Sequence, residues 1–205
     1  MGDDPKGSAV SDGFVGQRRG GVLATLSSFE GDLLRSLAQQ LVELLRDEVA
    51  APAQTSDPLE ELLDFSGPTT APSDPVLARL FPTAYPDDDE AAGEFRRFTE
   101  TSLREGKVRS AMLMIETLEQ AGLPGELLGE PDEEGLSIDV ELDREGAEAW
   151  LKSFTDIRLA LASRLGVEEG DDEYWDALPE DDPTVHVHDI YQWVGFLQET
   201  LVRAL

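Results

Sequence analysis

The strongest constraint on the fold is one short segment whose side chains alternate between apolar and polar. In "LSIDVEL", residues 136–142, four aliphatic side chains occupy every second position, with serine and acidic residues between them. This period of two is typical of a β-strand with one buried face. A single strand leaves its backbone groups unpaired, so it needs a partner strand. We expect that partner at about residues 21–27, which gives a small two-stranded antiparallel sheet.

The remaining periodic segments are helical. Ser27 and Glu30 have capping-box spacing ahead of an apolar stripe, and Asp87 with Glu90 repeats that spacing. An aspartate followed by proline marks the start of a helix, because proline has no amide hydrogen to satisfy there. The predicted fold is mostly α: a single-domain helical bundle of about four long and two short helices. The expected helices are 28–49, 58–65, 75–81, 88–100, 102–121, 143–165 and 186–205. The helix at 102–121 is expected to begin anew at Ser102, with Glu105 three residues on, or to be separated from 88–100 only by a kink.

Two segments lack any periodicity. Residues 1–20 are rich in Gly, Asp and Ser, and we interpret them as a flexible N-terminal tail. Residues 166–185 are dominated by carboxylates, and we interpret them as an acidic loop. The sequence therefore predicts a tail at 1–20 and one helical domain at 21–205.

Charge and composition exclude several classes of function. The net charge is −28, from 44 acidic and 16 basic residues, which opposes binding to nucleic acid or to an anionic membrane surface. The chain contains no cysteine, so disulfides, thiol catalysis and thiol redox sensing are all excluded. No apolar run is long enough to span a membrane, and the N-terminus lacks a signal peptide. We expect a cytoplasmic protein.

The chain has no recognisable catalytic or cofactor motif. Hydrolase elbows, P-loops and dinucleotide-binding glycine patterns do not occur, and the Asp-rich stretches lack the ligand order of an EF-hand. His186 and His188 would point to one side of an extended segment, where Asp189 could complete a metal site. The preferred alternative is a helix N-terminus. We therefore assign no catalytic residue, cofactor or metal ligand, and predict that the chain is not an enzyme.

Two features could bind a protein partner, with partner-binding candidates Phe95, Arg96, Arg97 and Trp175. The segment 95–109 is the only strongly basic part of the chain, and arginine is favoured at interface hot spots. Its alternative interpretation is a salt-bridged solvent face, because helical spacing gives all its cations except Lys107 an acidic neighbour. Trp175 lies within the acidic loop. It could dock into a basic groove, or it could anchor the loop to the protein's own core.

Long stretches of the chain resemble a known family. These are "DPVLARLFPTAYPDDDEAAGEFRRFTETSLREGK" (74–107) and "LDREGAEAWLKSFTDIRLALASRLG" (142–166), preceded by "RRGG" (18–21) and "LLRSLAQQLVELL" (33–45). They are similar to an actinobacterial family of unknown-function proteins that includes the oxidative-stress regulator AosR. The resemblance covers about residues 17–205, and its motifs are not catalytic.

The resemblance implies a non-enzymatic regulator. In that family, regulation is associated with a sigma factor and with cysteine-biosynthesis genes, and redox sensing is attributed to a cysteine pair. That switch cannot be transferred to this chain, which has no cysteine. The family's genes also lie near a Clp protease adaptor and a JAMM-type peptidase. The alternative function is therefore an accessory protein of Clp-linked proteolysis or of sulfur-carrier and cysteine metabolism.

Overall fold

Three short strands form an antiparallel sheet in the order β1-β2-β3. The computed structural model describes residues 11–18, 20–47, 67–123, 137–168, 170–171, 174–175, 177–179 and 181–205. The strands are β1 (Val15–Gly16), β2 (Val22–Ser27) and β3 (Ser137–Leu142). The pairing of β2 with β3 confirms the prediction, with Ala24 opposite Val140 and Leu26 opposite Ile138. All four of these side chains are buried, as the alternation requires.

The expectation of only two strands was wrong. Strand β1 pairs with β2 at Val15 and Leu23, within the segment that the sequence assigned to the tail. Just before β1, Phe14 is buried against the rings of Trp150 and Phe154 in edge-to-face geometry. A two-residue strand is too short to show alternation, so the sequence pattern could not reveal it. The packed part of the chain therefore includes residues before 21.

Five helices lie within the described ranges. Helix α1 begins directly after β2, and α4 begins directly after β3, so each long strand leads into a long helix. Their bounds are α1 (Ser28–Asp47), α2 (Pro75–Leu80), α3 (Asp89–Gln120), α4 (Arg144–Leu165) and α5 (Pro183–Ala204). The mostly α fold with a small antiparallel sheet is confirmed. The predicted helix 58–65 lies outside the described residues. None of the described helices combines the length and apolarity needed to cross a membrane.

Side-chain caps fix the helix ends. The predicted capping box at α1 is confirmed, because Glu30 Oε2 accepts a 2.8 Å bond from the Ser27 amide while Ser27 Oγ accepts from the Glu30 amide. Asp74 caps α2, as the Asp-Pro rule predicts, and Asp143 caps α4. Gly166 ends α4 in the left-handed conformation, with φ of 71°.

Two expectations for α3 were wrong. Its N-cap is Asp88, whose Oδ1 accepts a 3.0 Å bond from the Ala91 amide, and not Asp87. No second start occurs at Ser102, because α3 is one continuous helix of 32 residues. The Ser102 hydroxyl donates to the Thr99 carbonyl inside the helix and so does not cap a new one. Helix α3 packs against both α1 and α4, and α4 also packs against α2 and α5.

Candidate protein-interaction surface

The N-terminal half of α3 buries charged side chains. Arg96 is 6% exposed and Glu100 is 3% exposed, and their side chains are 2.5 Å apart. Arg104 binds the other oxygen of Glu100 at 2.8 Å. One carboxylate therefore lies between two guanidinium groups on the inner face of the helix. The expected pairs of Arg96 and Arg104 with Glu100 are confirmed, but their interpretation as a solvent face was wrong.

These arginines connect α3 to the ends of two other helices. Arg96 donates to the carbonyl of Phe81, directly after α2, at 3.2 Å. Arg104 donates to the carbonyl of Leu45, near the end of α1, at 2.8 Å, and its guanidinium lies 4.7 Å from the centre of the Phe81 ring. Helix C-terminal carbonyls lack partners inside their own helix, so cations are favoured there. The buried charges therefore hold α1, α2 and α3 together.

Lys107 extends this inner row to α4. Its Nζ lies 2.6 Å from Asp156 Oδ1, and Asp156 is buried. The sequence left Lys107 without an acidic neighbour on its own helix, and the structure supplies one from α4. Burial raises the pKa of Asp156, although the hydrogen bond and the positive charge of Lys107 act in the opposite direction.

Aromatic residues occupy the opposite, outer face of the same helix. Phe95 is 44% exposed and Phe98 is 51% exposed. The exposed ring of Tyr85, from the loop before α3, packs edge-on against Phe95 at 5.9 Å between centroids. We call Tyr85, Phe95 and Phe98 the aromatic patch. The usual arrangement of an amphipathic helix is thus reversed in this half of α3.

Acidic side chains border the aromatic patch. Asp87, Asp88 and Asp89 are exposed at the start of α3, and Glu94 is exposed beside Phe95. Contiguous apolar patches in solvent, when polar groups surround them, often mark interaction surfaces. The acidic rim favours a partner with basic residues around an apolar centre.

The sequence-derived candidates have different environments. Phe95 belongs to the aromatic patch, and Arg97 is half-buried with its guanidinium 5.7 Å from the centre of the Phe98 ring. Arg96 and Trp175 are buried. The structure therefore brings Phe95 and Arg97 to the surface near Phe98, while Arg96 lies beneath them. A role of these four residues in partner binding stays a prediction.

Trp175 has the environment of an anchor for the acidic loop. Its ring stacks on His188 of α5, with centroids 4.3 Å apart and planes at 3°, and its Nε1 donates a 2.8 Å bond to Asp171. Asp171 also accepts a bond from the Glu168 amide. These bonds, with the backbone bond from Glu168 first, lower the pKa of Asp171. These contacts support the interpretation that Trp175 anchors the acidic loop.

The two histidines do not share a face. His186 and His188 both lie in α5, where two-residue spacing turns side chains about 200° apart. The extended geometry that a metal site would need is absent from this segment. Among the described residues, no group of three or more His, Asp or Glu side chains could hold a metal ion.

The chain matches a family model over nearly its whole length, at residues 11–205. The model is the domain of unknown function DUF2017. The chain belongs to this family. A relative from Mycobacterium bovis, named oxidative stress regulator AosR, is 30% identical over 196 residues, which covers 89% of this chain and 81% of the relative. The protein of the same name from Mycobacterium tuberculosis strain H37Rv gives the same values. No solved structure matches the chain at a significant level.

Sequence reasoning missed the burial of the inner row and two of the three residues of the aromatic patch. Tyr85 and Phe98 were not proposed as partner-binding residues, although Phe98 stands one helical turn after Phe95. The signal was present in the order of residue types: along 95–107 the phenylalanines share one face and the cations share another. Which face is buried depends on α1, α2 and α4, and no local pattern specifies it.

Proposed function

We propose that this DUF2017-family chain is a non-enzymatic regulator of the oxidative stress response, which acts by binding a transcription factor of the sigma-factor class. The proposal is supported by the name of its mycobacterial relatives, oxidative stress regulator AosR, at 30% identity over most of both chains. The single structural observation that carries a binding role is the reversed face of α3. We place the protein in the cytoplasm, where such a partner acts.

The aromatic patch is the proposed contact surface. Phenylalanine and tyrosine supply large apolar area at low entropic cost, and buried aromatic anchors dominate binding energy at interfaces. The inner ion pairs fix α3 against its neighbours, so the patch is presented on a rigid element. The acidic rim, with Asp87–Asp89 and Glu94, selects a partner whose apolar surface is flanked by lysine or arginine.

A cysteine-free chain needs a stress signal other than its own thiols. The chain contains no cysteine, so no disulfide can form within it. We propose that the oxidative signal changes the partner or the amount of free partner. This chain then responds by binding more or less of that partner. Oxidant-dependent binding would then persist when only the partner is treated with oxidant.

The test compares a patch variant with a matched control. A Phe95→Ser, Phe98→Ser double variant removes the exposed rings, while Phe29→Ser removes an exposed phenylalanine of α1 outside the patch. Affinity isolation from the native host, followed by mass spectrometry, should recover a sigma factor or polymerase subunit with the wild type and the control. Calorimetry on the purified pair should show at least about tenfold weaker binding for the double variant, as expected for a hot-spot loss.

Two outcomes would count against the proposal. Recovery of no transcription factor or polymerase subunit would oppose the regulatory partner. Undiminished binding by the double variant would oppose the patch as the contact surface. Recovery of a Clp component in their place would favour the alternative function in proteolysis.

A further inference from the structure

A second surface feature lies between α3 and α4, separate from the aromatic patch. It is a groove of about 770 Å³, a size typical of small-molecule sites. Apolar side chains from both helices line it, including Leu103, Leu113 and Ala149, and Ser102 and Ser110 add hydroxyl groups. The buried ion pair of Lys107 and Asp156 lies at one part of its wall. None of the three patch residues lines this groove.

The groove contains cations that the protein does not neutralise. Among the residues that the structure describes, Arg109 and Lys152 have no ion-pair partner, although the sequence predicts that Glu105 would pair with Arg109. Two carboxylates of the groove are already engaged, Asp156 by Lys107 and Glu148 by Arg144. Glu145 is the remaining carboxylate. The groove lining thus carries three cations and three carboxylates, with two cations and one carboxylate unpaired, and it lacks the acidic excess of a chain whose net charge is −28.

The lysine distribution sharpens this observation. The chain has only three lysines, Lys6, Lys107 and Lys152, and two of them line this one groove. Unpaired cations in an otherwise acidic protein create a local minimum of potential energy for an anion. The other carboxylates of the chain repel an anion at a distance. Binding of an anion in the groove therefore depends on its direct contact with Arg109 and Lys152.

Gly106 keeps the middle of the groove open. A glycine inside a helix is destabilising relative to alanine, so it needs a reason. The other described helical glycines have one, since a Cβ at Gly31, Gly93, Gly146 or Gly195 would come within 3.3 Å of another atom. At Gly106 a Cβ would meet nothing within 4 Å. Contacts within the described protein therefore do not require this glycine, and its helix backbone is open to the approach of an external group.

We propose that this groove binds a small organic acid with an apolar body. The carboxylate is held by Arg109 and Lys152, and the apolar part lies over Gly106 between Leu103 and Leu113. Charge-assisted hydrogen bonds supply the orientation, and the aliphatic walls supply the burial. This inference goes beyond the proposed regulatory function and does not depend on it, because it concerns a different surface and a different class of ligand.

The test is a titration of isotopically labelled full-length protein with hexanoate, followed by amide NMR. Acetate carries the charge without the apolar body, and hexan-1-ol carries the apolar body without the charge. We expect saturable shifts of the Gly106 and Ser110 amides with hexanoate, at an affinity at least about tenfold higher than with either control compound. An Arg109→Ala, Lys152→Ala double variant should weaken hexanoate binding by about tenfold or more, since two charge-assisted contacts are lost.

Two further variants separate binding from folding. Gly106→Leu should block the groove while the thermal midpoint stays the same or rises, since the site has open space and leucine is a better helix former than glycine. Arg203→Ala, which removes an exposed cation of α5, should bind hexanoate like the wild type. The proposal is overturned if hexanoate causes no saturable shifts at Gly106, or if the double variant binds it equally well. It is also overturned if the Arg109→Ala, Lys152→Ala variant binds hexanoate like the wild type but no longer binds a protein partner. That result would assign the groove to the protein partner.

Discussion

Lys107 of α3 and Asp156 of α4 form a 2.6 Å ion pair between two helices, 49 residues apart in sequence. The Asp156 side chain is almost fully buried, and that of Lys107 is largely so. The free-energy cost of removing the Asp156 carboxylate from water exceeds the stabilisation that Lys107 gives its charged form. The pKa of Asp156 is therefore raised. The pair therefore fixes how α3 and α4 are joined more than it adds net stability.

Removal of one partner should reveal that dependence. We expect Lys107→Met to lower the free energy of unfolding at neutral pH by about 2–4 kcal/mol, because an unpaired carboxylate stays buried. The matched control is Lys152→Met, at an exposed lysine, which should change stability by no more than about 0.5 kcal/mol. Urea denaturation of both variants measures the difference. Equal changes in the free energy of unfolding for the two variants would show that Lys107 does not stabilise the buried Asp156 carboxylate.

The raised pKa of Asp156 predicts a pH dependence of stability. Its folded-state pKa lies above the ordinary value of 3.8, so the folded protein binds this proton more tightly than the unfolded chain does. The stabilisation is complete below 3.8 and is lost as the pH rises through the folded-state pKa. The free energy of unfolding of the wild type minus that of Asp156→Asn should therefore fall as the pH rises across this window. A difference that grows with pH would contradict the assignment.

The carboxylate of Glu100 should be among the most sensitive positions of α3. Glu100→Ala leaves the buried guanidinium of Arg96 and the half-buried one of Arg104 without their shared acid, and we expect a loss of about 3–5 kcal/mol. Glu105→Ala, at an exposed acid one turn later, should cost under about 0.5 kcal/mol. Chemical denaturation decides between them. Similar losses for the two variants would mean that the network contributes nothing specific. Arg96 substitutions would likewise report on folding and should not be used to test binding.

The two glycines within α3 should respond in opposite directions to the same substitution. Gly106→Ala should stabilise the protein by about 0.5–1 kcal/mol, because the site is open and alanine is the better helix former. Gly93→Ala should destabilise it, since the new Cβ would lie 2.9 Å from the carbonyl oxygen of Thr69. Thermal unfolding of both proteins provides the measurement. A destabilised Gly106→Ala protein would refute the interpretation of the open site.

The anchor of the acidic loop should titrate with Asp171. Hydrogen bonds from the Glu168 amide and the Trp175 indole hold the Asp171 pKa below 3.8, so its contribution is present above that value and is lost as the pH falls through the lowered pKa. The indole N–H resonance of Trp175 should shift with a midpoint below 3.8. Asp171→Asn should abolish this shift, and the Trp193 indole should not follow it. A midpoint above 3.8 would exclude Asp171 as the titrating group.

Local rules predicted the elements whose boundaries are set by neighbouring residues. The alternation of 137–142, the box at Ser27 and Glu30 and the Asp-Pro start at residue 74 were all read correctly, because each depends on contacts within a few positions. Three adjacent aspartates offer similar spacings, so the cap of α3 was misplaced by one residue. The continuity of α3 through Ser102 was missed for a related reason, since serine is favoured at caps but is also tolerated inside a helix, where its hydroxyl bonds a preceding carbonyl.

The surface of α3 was harder to predict than its existence. Ion pairs at i and i+4 have the same spacing on a buried face and on an exposed one. Burial of Arg96 and Arg104 depends on carbonyls at Phe81 and Leu45, which reach α3 only in the folded chain. Strand β1 was missed because its two residues are too few to show alternation, and α5, which packs against it, is distant in sequence.

The contact between the beginning and the end of the described chain bears on how the protein is made. The Phe14 amide donates a 3.1 Å bond to Thr200 Oγ1, 186 residues later, and the Phe14 ring covers Trp150. During ribosomal synthesis, Phe14 is made 186 residues before Thr200. The hydrogen bond of the Phe14 amide therefore forms only after α5 has left the exit tunnel, whereas the ring partners of Phe14, Trp150 and Phe154, emerge earlier with α4.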